Sequence, residues 1–231
     1  MKIQGLQKMT LLDFPGRVAC TVFLGGCDFR CPFCHNYELL DGSAPAVMDD
    51  EALLRFLKGR QGLLDGVAIT GGEPLLRKDL PDLLRAIREL GFAVKVDTNG
   101  NQPEALARLL REKLVDYVAM DIKNAPALYR MTAGVPTLDL AAVEESKDYL
   151  LSGVVDYEFR TTVVKGLHTE QSLRGAAEWI RGAKAWFLQQ YKDSGNIIEN
   201  YGLSAFSDEE MRSLCKAVQE IIPVAALRGV E

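Results

Sequence analysis

Residues 67–74 read VAITGGEP, an apolar run that stops abruptly at two glycines. The run predicts a short buried strand at 67–70, and the amphipathic segment at 80–90 predicts the helix after it. Similar runs predict strands at 18–24, 92–96, 117–122, 156–164 and 185–188. Helices are predicted at 49–58, 103–113, 170–182 and 208–222, with a broken helical region at 125–151. This alternation of strands and helices indicates a parallel sheet with helices outside it.

The strand–helix units define the expected fold class, an α/β fold built on a six-stranded parallel sheet with outer helices. A closed eight-unit barrel needs about 250 residues, and this chain has 231. The prediction is therefore a partial (β/α)6 barrel of the TIM type. No Pro/Gly/Ser-rich linker interrupts the sequence, so we expect a single domain at 1–231. Its pocket is expected at the carboxyl ends of the strands.

The composition narrows the possible partners and compartments. A net charge of −5 argues against a nucleic-acid-binding surface, which needs concentrated lysine and arginine. No apolar run approaches the roughly 20 residues of a membrane span, and the first residues do not form a signal peptide. Five cysteines, three of them clustered, do not indicate a secreted disulfide framework. We expect a cytoplasmic protein with no nucleic-acid or membrane partner.

The cysteine cluster is Cys27-x₃-Cys31-x₂-Cys34, in the loop after the first predicted strand. Thiolates this close in sequence can converge on one metal centre. An iron–sulfur cube normally takes four cysteines, so three would leave one iron free to bind another ligand. Two alternatives stay open. One is a zinc-stabilised interaction protein with His35 as the fourth zinc ligand, and the other is a redox disulfide between Cys31 and Cys34.

Polar residues also follow the other predicted strands. Gly71-Gly72-Glu73 offers a carboxylate and accessible carbonyl oxygens, which suit an ammonium group, although a simple tight turn is the alternative. Asp121 and Lys123 lie two residues apart at a strand end, so their side chains share one face of the sheet. If they are buried, these two charges need each other or a charged ligand.

The positions of an arginine, a histidine and two further cysteines are predicted from the neighbouring residues in the sequence. Arg160 lies within a predicted strand and either points outward as a surface arginine or inward, where its fork could bind a carboxylate. His168 lies in a turn and is expected on the surface. Cys20 alternates with valines in a strand, and Cys215 shares a helix face with apolar residues, so both are expected to be small core residues.

Taken together, these motifs resemble the radical S-adenosylmethionine (SAM) enzymes, and among them the branch that activates glycyl radical enzymes. The resemblance rests on GLQK at 5–8, LDFPG at 12–16, CDFRCPFCHN at 27–36 and GGEP at 71–74. Within that branch, the pattern is similar to activators of anaerobic ribonucleoside-triphosphate reductase, and pyruvate formate-lyase activators share much of it. Tyr37 replaces the proline that usually follows Cys-His-Asn.

The resemblance implies a [4Fe–4S] cluster held by Cys27, Cys31 and Cys34, with SAM chelating the fourth iron. One electron would cleave SAM to methionine and a 5′-deoxyadenosyl radical, and that radical would take a hydrogen atom from a backbone glycine of a partner enzyme. Asp97 and Thr98 match positions near SAM and a monovalent cation. The implied cofactor-binding residues are Phe33, His35, Gly71, Gly72, Glu73, Asp97, Thr98, Asp121, Ile122, Lys123 and Arg160.

The resemblance also implies partners. They are a glycyl radical enzyme as the protein substrate, with anaerobic ribonucleotide reductase first among the candidates, and a flavodoxin or ferredoxin as the electron donor. A pyruvate formate-lyase-type target, a small molecule or an RNA base is the alternative substrate. Some relatives carry a histidine near the end of the sixth strand, where this chain has Gln189-Gln190, so no catalytic role is transferred to that position.

Overall fold

The computed structural model describes residues 2–41, 43–192, 198 and 202–230. Their strands form one sheet in chain order. The strands are β1 (Ile3–Thr10), β2 (Ala19–Leu24), β3 (Gly66–Gly71), β4 (Ala93–Thr98), β5 (Tyr117–Asp121), β6 (Asp156–Val163), β7 (Trp186–Gln190) and β8 (Ala225–Arg228). The β2 to β8 pairings are all parallel, and β1 runs antiparallel to β2. The α/β class and the parallel sheet are thus confirmed.

Seven α-helices alternate with these strands in the described part of the chain. They are α1 (Asp50–Lys58), α2 (Leu80–Glu89), α3 (Pro103–Arg111), α4 (Pro126–Ala133), α5 (Leu140–Leu151), α6 (Glu170–Trp179) and α7 (Asp208–Gln219). Short 3₁₀ turns lie at Tyr37–Leu39 and Pro74–Leu76. None of the helices in the described residues is long and apolar enough to cross a membrane.

The sequence predicted six strands, and the structure has two more, one at each edge of the sheet. The six predicted strands correspond to β2 through β7, while β1 and β8 were missed. β1 is partly exposed and rich in polar residues, and β8 has only four residues, so neither has the apolar run that marks a central strand. Within the described residues, β8 and β1 are not paired with each other, and the barrel is open between them.

The central strands of the sheet are covered on both faces, and their apolar side chains form the core. Val67, Ile69, Val94, Val96 and Val118 are buried, as expected for parallel strands packed between helices and a barrel interior. The helical stretch predicted at 125–151 divides at Gly134, whose φ of 67° ends α4 in the left-handed conformation that glycine adopts most readily. Ser207 is the N-cap of α7 and makes a capping box with Glu210.

The register of the sheet brings the carboxyl ends of the strands to one level. Leu24 pairs with Gly71, Thr98 with Met120, and Asp121 with Arg160. The loop after β2, which carries the three clustered cysteines, therefore lies beside the loops after β3, β4 and β5.

Candidate active site

A concave pocket lies at the carboxyl ends of the strands, where the sequence predicts it. Most of the predicted site residues line this pocket. They are Cys27, Cys31, Phe33, Cys34, His35, Gly71, Gly72, Asp97, Thr98, Asp121, Lys123 and Arg160. Two predicted residues, Glu73 and Ile122, do not line it. These predicted residues come from the ends of β2 to β6, and they converge on one cavity.

The cysteine loop is anchored by backbone hydrogen bonds to distant parts of the chain. Gly26 N donates to Leu39 O at 2.5 Å, Cys27 N donates to Leu40 O at 2.9 Å, and Arg30 N donates to Ala133 O at 2.9 Å. The amide of Phe29 also approaches the Cys27 sulfur, with an N···S distance of 3.4 Å. These bonds fix the path of the loop.

Asp28 fixes the same loop to the segment after β4. Its Oδ1 accepts a hydrogen bond from Asn99 Nδ2 at 2.7 Å. Its Oδ2 accepts from Asn101 Nδ2 at 2.8 Å and from Gln102 Nε2 at 3.1 Å. One carboxylate therefore collects three side-chain amides, and hydrogen bonds to an ionised acceptor are the stronger kind.

Two glycines allow the loop after β3 to approach the cysteine loop. Gly71 has a φ of 117°, which L side chains rarely adopt, and a Cβ on Gly72 would lie 2.0 Å from Gly26 O. The sequence left two interpretations of Gly71-Gly72 open, a tight turn and a ligand-binding loop. The two are compatible, because the glycines allow a close backbone contact next to Cys27. Only glycine fits at such a close approach.

Glu73 occupies a different place from the one expected for a ligand-facing carboxylate. It has 0% exposure, and its oxygens accept hydrogen bonds from Leu75 N at 3.0 Å, Thr98 Oγ1 at 2.9 Å and Asn99 N at 2.6 Å. Burial raises the pKa of Glu73 to about 8 against these bonds. The carboxylate braces the loops behind the pocket, and the pocket surface is formed by Gly71 and Gly72 instead.

A chain of alternating charges crosses the floor of the pocket. Arg160 Nη1 lies 3.0 Å from Asp97 Oδ2, and Arg160 Nη2 lies 3.0 Å from Asp121 Oδ1. Lys123 Nζ lies 2.9 Å from Asp121 Oδ2. Arg160 thus points into the pocket, and of the two orientations left open by the sequence the outward one is wrong.

The charge chain determines the protonation of its acids. Burial alone would raise the pKa of Asp121, but Lys123 and Arg160 overcome it and hold that pKa at about 2. Arg160 and Lys95 likewise hold the pKa of Asp97 below its usual value despite burial. The pKa of Lys123 is raised, because the neighbouring Asp121 outweighs burial. All of these groups are therefore charged at neutral pH.

The three clustered cysteines line one pocket, and sulfur is the ligand type that an iron–sulfur cube takes. Cys27, Cys31 and Cys34 are free thiols in this structure. In the described parts of the chain, no group of three or more His, Cys, Asp or Glu side chains is arranged to hold a single metal ion. A cube carries its cysteines on different irons, and sulfur is the ligand it requires.

Metal ligation at these thiols would have to displace their protons. Burial raises the pKa of Cys27 to about 12 and that of Cys31 to about 11. Burial also raises the pKa of Cys34, while the positive charge of Lys123 opposes the shift at Cys31 and Cys34. Because only thiolates bind metal, cluster loading is coupled to proton release.

Two further expectations need correction. Ile122 is buried with 0% exposure and does not line the pocket, and its N–H donates to Arg160 O at 2.8 Å. His168 was expected on the surface but is 3% exposed. Its Nε2 lies 2.8 Å from Lys123 O and its Nδ1 accepts from Val164 N at 3.1 Å. The turn that carries His168 therefore folds over the strand end.

The structure adds residues that sequence reasoning missed. Asp28 and Asn99 join two loops, and Thr162 and Gln189 line the pocket. Lys95 is buried beneath Asp97 and pairs with it. The alternation rule that placed Asp121 and Lys123 on one face would also have placed Lys95 with Asp97. Cys20 and Cys215 are buried in the apolar core, as expected.

The structure combines an open α/β barrel, a three-cysteine loop and a charged pocket at the carboxyl ends of the strands. Together these features define a class of barrel enzymes that carry a metal cluster beside the ligand site. A sequence model described as the radical SAM superfamily matches residues 21–174, which is more than half of the chain. The chain therefore belongs to the radical SAM superfamily, whose members use a [4Fe–4S] cluster and SAM.

The curated relatives include activating enzymes. The chain is 28% identical over 239 aligned residues to a protein of Methanocaldococcus jannaschii named as a glycyl-radical enzyme activating enzyme, with 99% of this chain and 96% of that protein covered. It is 32% identical to a pyruvate formate-lyase-activating enzyme of Clostridium pasteurianum, covering 53% of this chain and 52% of that enzyme. The chain thus spans about half the length of the second relative.

Solved structures share the fold. A domain of a pyruvate-formate lyase-activating enzyme from Bacteroides vulgatus superposes with a TM-score of 0.57 at 19% identity, covering 71% of this chain and 99% of that domain. Streptococcus suis SuiB, bound to its precursor peptide SuiA, gives a TM-score of 0.69 at 18% identity, covering 90% of this chain and 48% of SuiB. These likenesses confirm the partial barrel.

Proposed function

We propose that this chain is an activase that uses SAM to install a radical on a backbone glycine of a glycyl radical enzyme, with anaerobic ribonucleotide reductase as the first candidate target. The observation that carries the proposal is the convergence of the three-cysteine loop and the Asp97–Arg160–Asp121–Lys123 charge chain on one pocket. The similarity over nearly the full length of a named activating enzyme supports the choice of substrate class.

The proposed roles follow from the positions of the side chains. Cys27, Cys31 and Cys34 would hold a [4Fe–4S] cluster. When bound, the cluster and SAM supply a one-electron cleavage that yields methionine and a 5′-deoxyadenosyl radical, which takes a hydrogen atom from the target glycine. The carbonyls of Gly71 and Gly72 are available for the methionyl ammonium, and Arg160 and Lys123 for its carboxylate.

The remaining predicted contacts complete the pocket. Phe33 is buried and lines the cavity beside the cysteines, where it excludes water from them. His35 is exposed at the pocket, with its ring 5.4 Å from that of Tyr191. Asp97 and Thr98 lie on the β4 side, and the backbone of Ile122 holds the β5 end in register. Fixed charges act most strongly where a bound ligand excludes water from them.

A direct test uses anaerobic protein reconstituted with iron and sulfide. Addition of SAM and a strong reductant is expected to give 5′-deoxyadenosine, and addition of the candidate reductase is expected to give a glycyl radical signal by electron paramagnetic resonance. A reductase whose radical glycine is replaced by alanine serves as the control. If a fully loaded cluster forms no 5′-deoxyadenosine, the radical SAM assignment fails. If 5′-deoxyadenosine forms but no glycyl radical appears on any candidate, the activase assignment fails.

A second candidate is a radical reaction on a small molecule. A 7-carboxy-7-deazaguanine synthase of Thermococcus kodakarensis is 28% identical over 82% of this chain and 87% of that enzyme. A GTP 3′,8-cyclase of Marinobacter nauticus is 26% identical over 88% of this chain. Stimulation of SAM cleavage by a purine nucleotide in the absence of protein substrate would favour this candidate. A flavodoxin or ferredoxin is the proposed electron donor in either case.

A further inference from the structure

The monovalent cation that the resemblance implies beside Asp97 and Thr98 does not fit the residues of this chain. Asp97 Oδ1 is paired with Lys95 Nζ, and Asp97 Oδ2 lies 3.0 Å from Arg160 Nη1. Thr98 Oγ1 donates to Glu73 Oε1 at 2.9 Å and accepts from Gly100 N at 3.0 Å. The oxygens that would surround a hard cation are therefore already engaged with protein groups.

Asp121, on the neighbouring strand, is engaged in the same way. Its Oδ1 lies 3.0 Å from Arg160 Nη2, and its Oδ2 lies 2.9 Å from Lys123 Nζ. Every carboxylate oxygen of Asp97 and Asp121 thus faces a positively charged nitrogen. An alkali ion placed between the two acids would lie next to three fixed positive charges, and like charges at such distances repel strongly in a buried site.

Lys95 is the component that the resemblance does not account for. Lys95 is 1% exposed, and within the described residues its ammonium forms an ion pair only with Asp97. A buried ammonium without its carboxylate is expensive, so Lys95 and Asp97 are retained as a pair. Because Lys95 lies two residues before Asp97 on β4, it reaches the carboxylate from the barrel interior, beneath the pocket.

We propose that the Lys95 ammonium is the resident cation of this pocket, taking the place of an alkali ion at Asp97, so that SAM binds without any requirement for K⁺ or Na⁺. The proposal rests on the proposed function in one respect, namely that SAM occupies the pocket above Asp97. Lys95 is a positioning residue, since it acts through Asp97 and Arg160 and does not line the cavity.

The first test measures SAM binding to the reconstituted protein by calorimetry, in potassium, sodium and tetramethylammonium chloride at equal ionic strength. The wild-type Kd is expected to change by less than about twofold among the salts, whereas coupling between two bound ligands is typically about 5–150-fold. Lys95→Met uncovers one oxygen of Asp97, and its SAM affinity is expected to become higher in K⁺ than in tetramethylammonium by a factor in that range.

Two variants guard against indirect effects. Lys147→Met removes another buried lysine, 5% exposed on α5, whose ammonium pairs with Asp148 rather than with a pocket residue. Its SAM binding is expected to stay independent of the cation. Lys95→Gln keeps a polar group of similar length and is expected to gain K⁺ dependence as Lys95→Met does, which covers the case in which the methionine variant fails to fold.

The second test needs no SAM and so separates this inference from the proposed function. Crystals of the wild-type protein grown with Rb⁺ are expected to show no anomalous rubidium peak near Asp97, whereas crystals of the Lys95 variants are expected to show one. A peak between Asp97 and Asp121 in the wild type, or K⁺-dependent SAM binding by the wild type, would overturn the proposal. Failure of SAM to bind in every salt would overturn the proposed function instead, and the rubidium result would still decide this inference.

Discussion

Asn99 donates a hydrogen bond from Nδ2 to Asp28 Oδ1 at 2.7 Å, across 71 positions of sequence. Asp28 lies between the first and second clustered cysteines, and Asn99 follows the end of β4. The contact therefore ties the loop that would carry the metal cluster to the loop beside the SAM pocket.

The substitution Asp28→Asn tests this tie. An asparagine side chain at this position cannot accept hydrogen bonds on both of its terminal atoms, so at least one of the three amides loses its acceptor, and the expected loss of unfolding free energy is about 1–3 kcal/mol. Chemical denaturation of the apoprotein measures it. Asp82→Asn is the matched control, because Asp82 pairs with Arg85 at the exposed surface, where ion pairs contribute little. Equal stability of the two variants would show that the Asp28 contacts carry no weight.

Removal of any one clustered cysteine is expected to abolish stable cluster binding. After anaerobic reconstitution, Cys27→Ala, Cys31→Ala and Cys34→Ala should lose most bound iron and the visible iron–sulfur absorbance, since a cube needs its thiolate ligands. Cys215→Ala is the control, because Cys215 is buried between α7 and β8 and its sulfur lies 3.8 Å from Ala225 O. Loss of iron in the control, or full iron in a ligand variant, would contradict the assignment.

Arg228 is expected to stabilise the open end of the barrel. Its guanidinium lies 2.8 Å and 3.0 Å from the two Glu158 oxygens, and the Glu158 side chain is 1% exposed. Arg228→Met leaves that carboxylate buried without a charged partner and with the Tyr117 hydroxyl as its remaining hydrogen-bond donor, which costs up to about 3–5 kcal/mol. Denaturant titration measures the loss. Arg181→Met, which breaks an exposed pair with Glu178, should change stability far less.

The double variant Arg228→Met/Glu158→Gln provides the check on that interpretation. It removes both charges together, so most of the loss in Arg228→Met should be recovered. If the double variant is as unstable as the single one, the loss comes from packing of Arg228 on Phe187, whose ring centroid lies 3.9 Å from the guanidinium carbon, and not from the unpaired acid.

His168 should make the stability depend on pH in the mildly acidic range. Burial lowers its pKa below the usual value of 6.5, so the unfolded chain binds the proton first as the pH falls. The contribution is complete above pH 6.5 and is lost as the pH falls towards the folded pKa, by up to about 1.4 kcal/mol per pH unit. The raised pKa of Glu73 acts in the opposite direction over this range, so the test is the difference between two proteins: from pH 7 to pH 5, the unfolding free energy of the wild type should fall relative to that of His168→Gln. An unchanged slope in the variant would exclude His168 as the source.

The sequence predicted the central six strands and the gathering of the polar clusters at the carboxyl ends of the strands. These predictions succeeded because apolar runs and glycine stops are local signals, and because parallel strands place their carboxyl ends together. The two edge strands were not predicted, because a strand at the edge of a sheet needs no continuous apolar run. His168 was misplaced because nothing in a Gly-Leu-His-Thr turn shows that its ring will meet the carbonyl of Lys123, 45 positions away.

The amino-acid sequence by itself determined the α/β class, the three-thiolate loop and the charged strand ends, since each depends on residue type and on spacing along a few neighbouring positions. The tertiary structure decided which of those charges meet: Arg160 lies between Asp97 and Asp121, and Glu73 is turned away from the pocket towards Thr98. Such pairings join residues many positions apart. They form because burial makes an unpaired charge or donor too costly, and that cost exists only once the chain has folded.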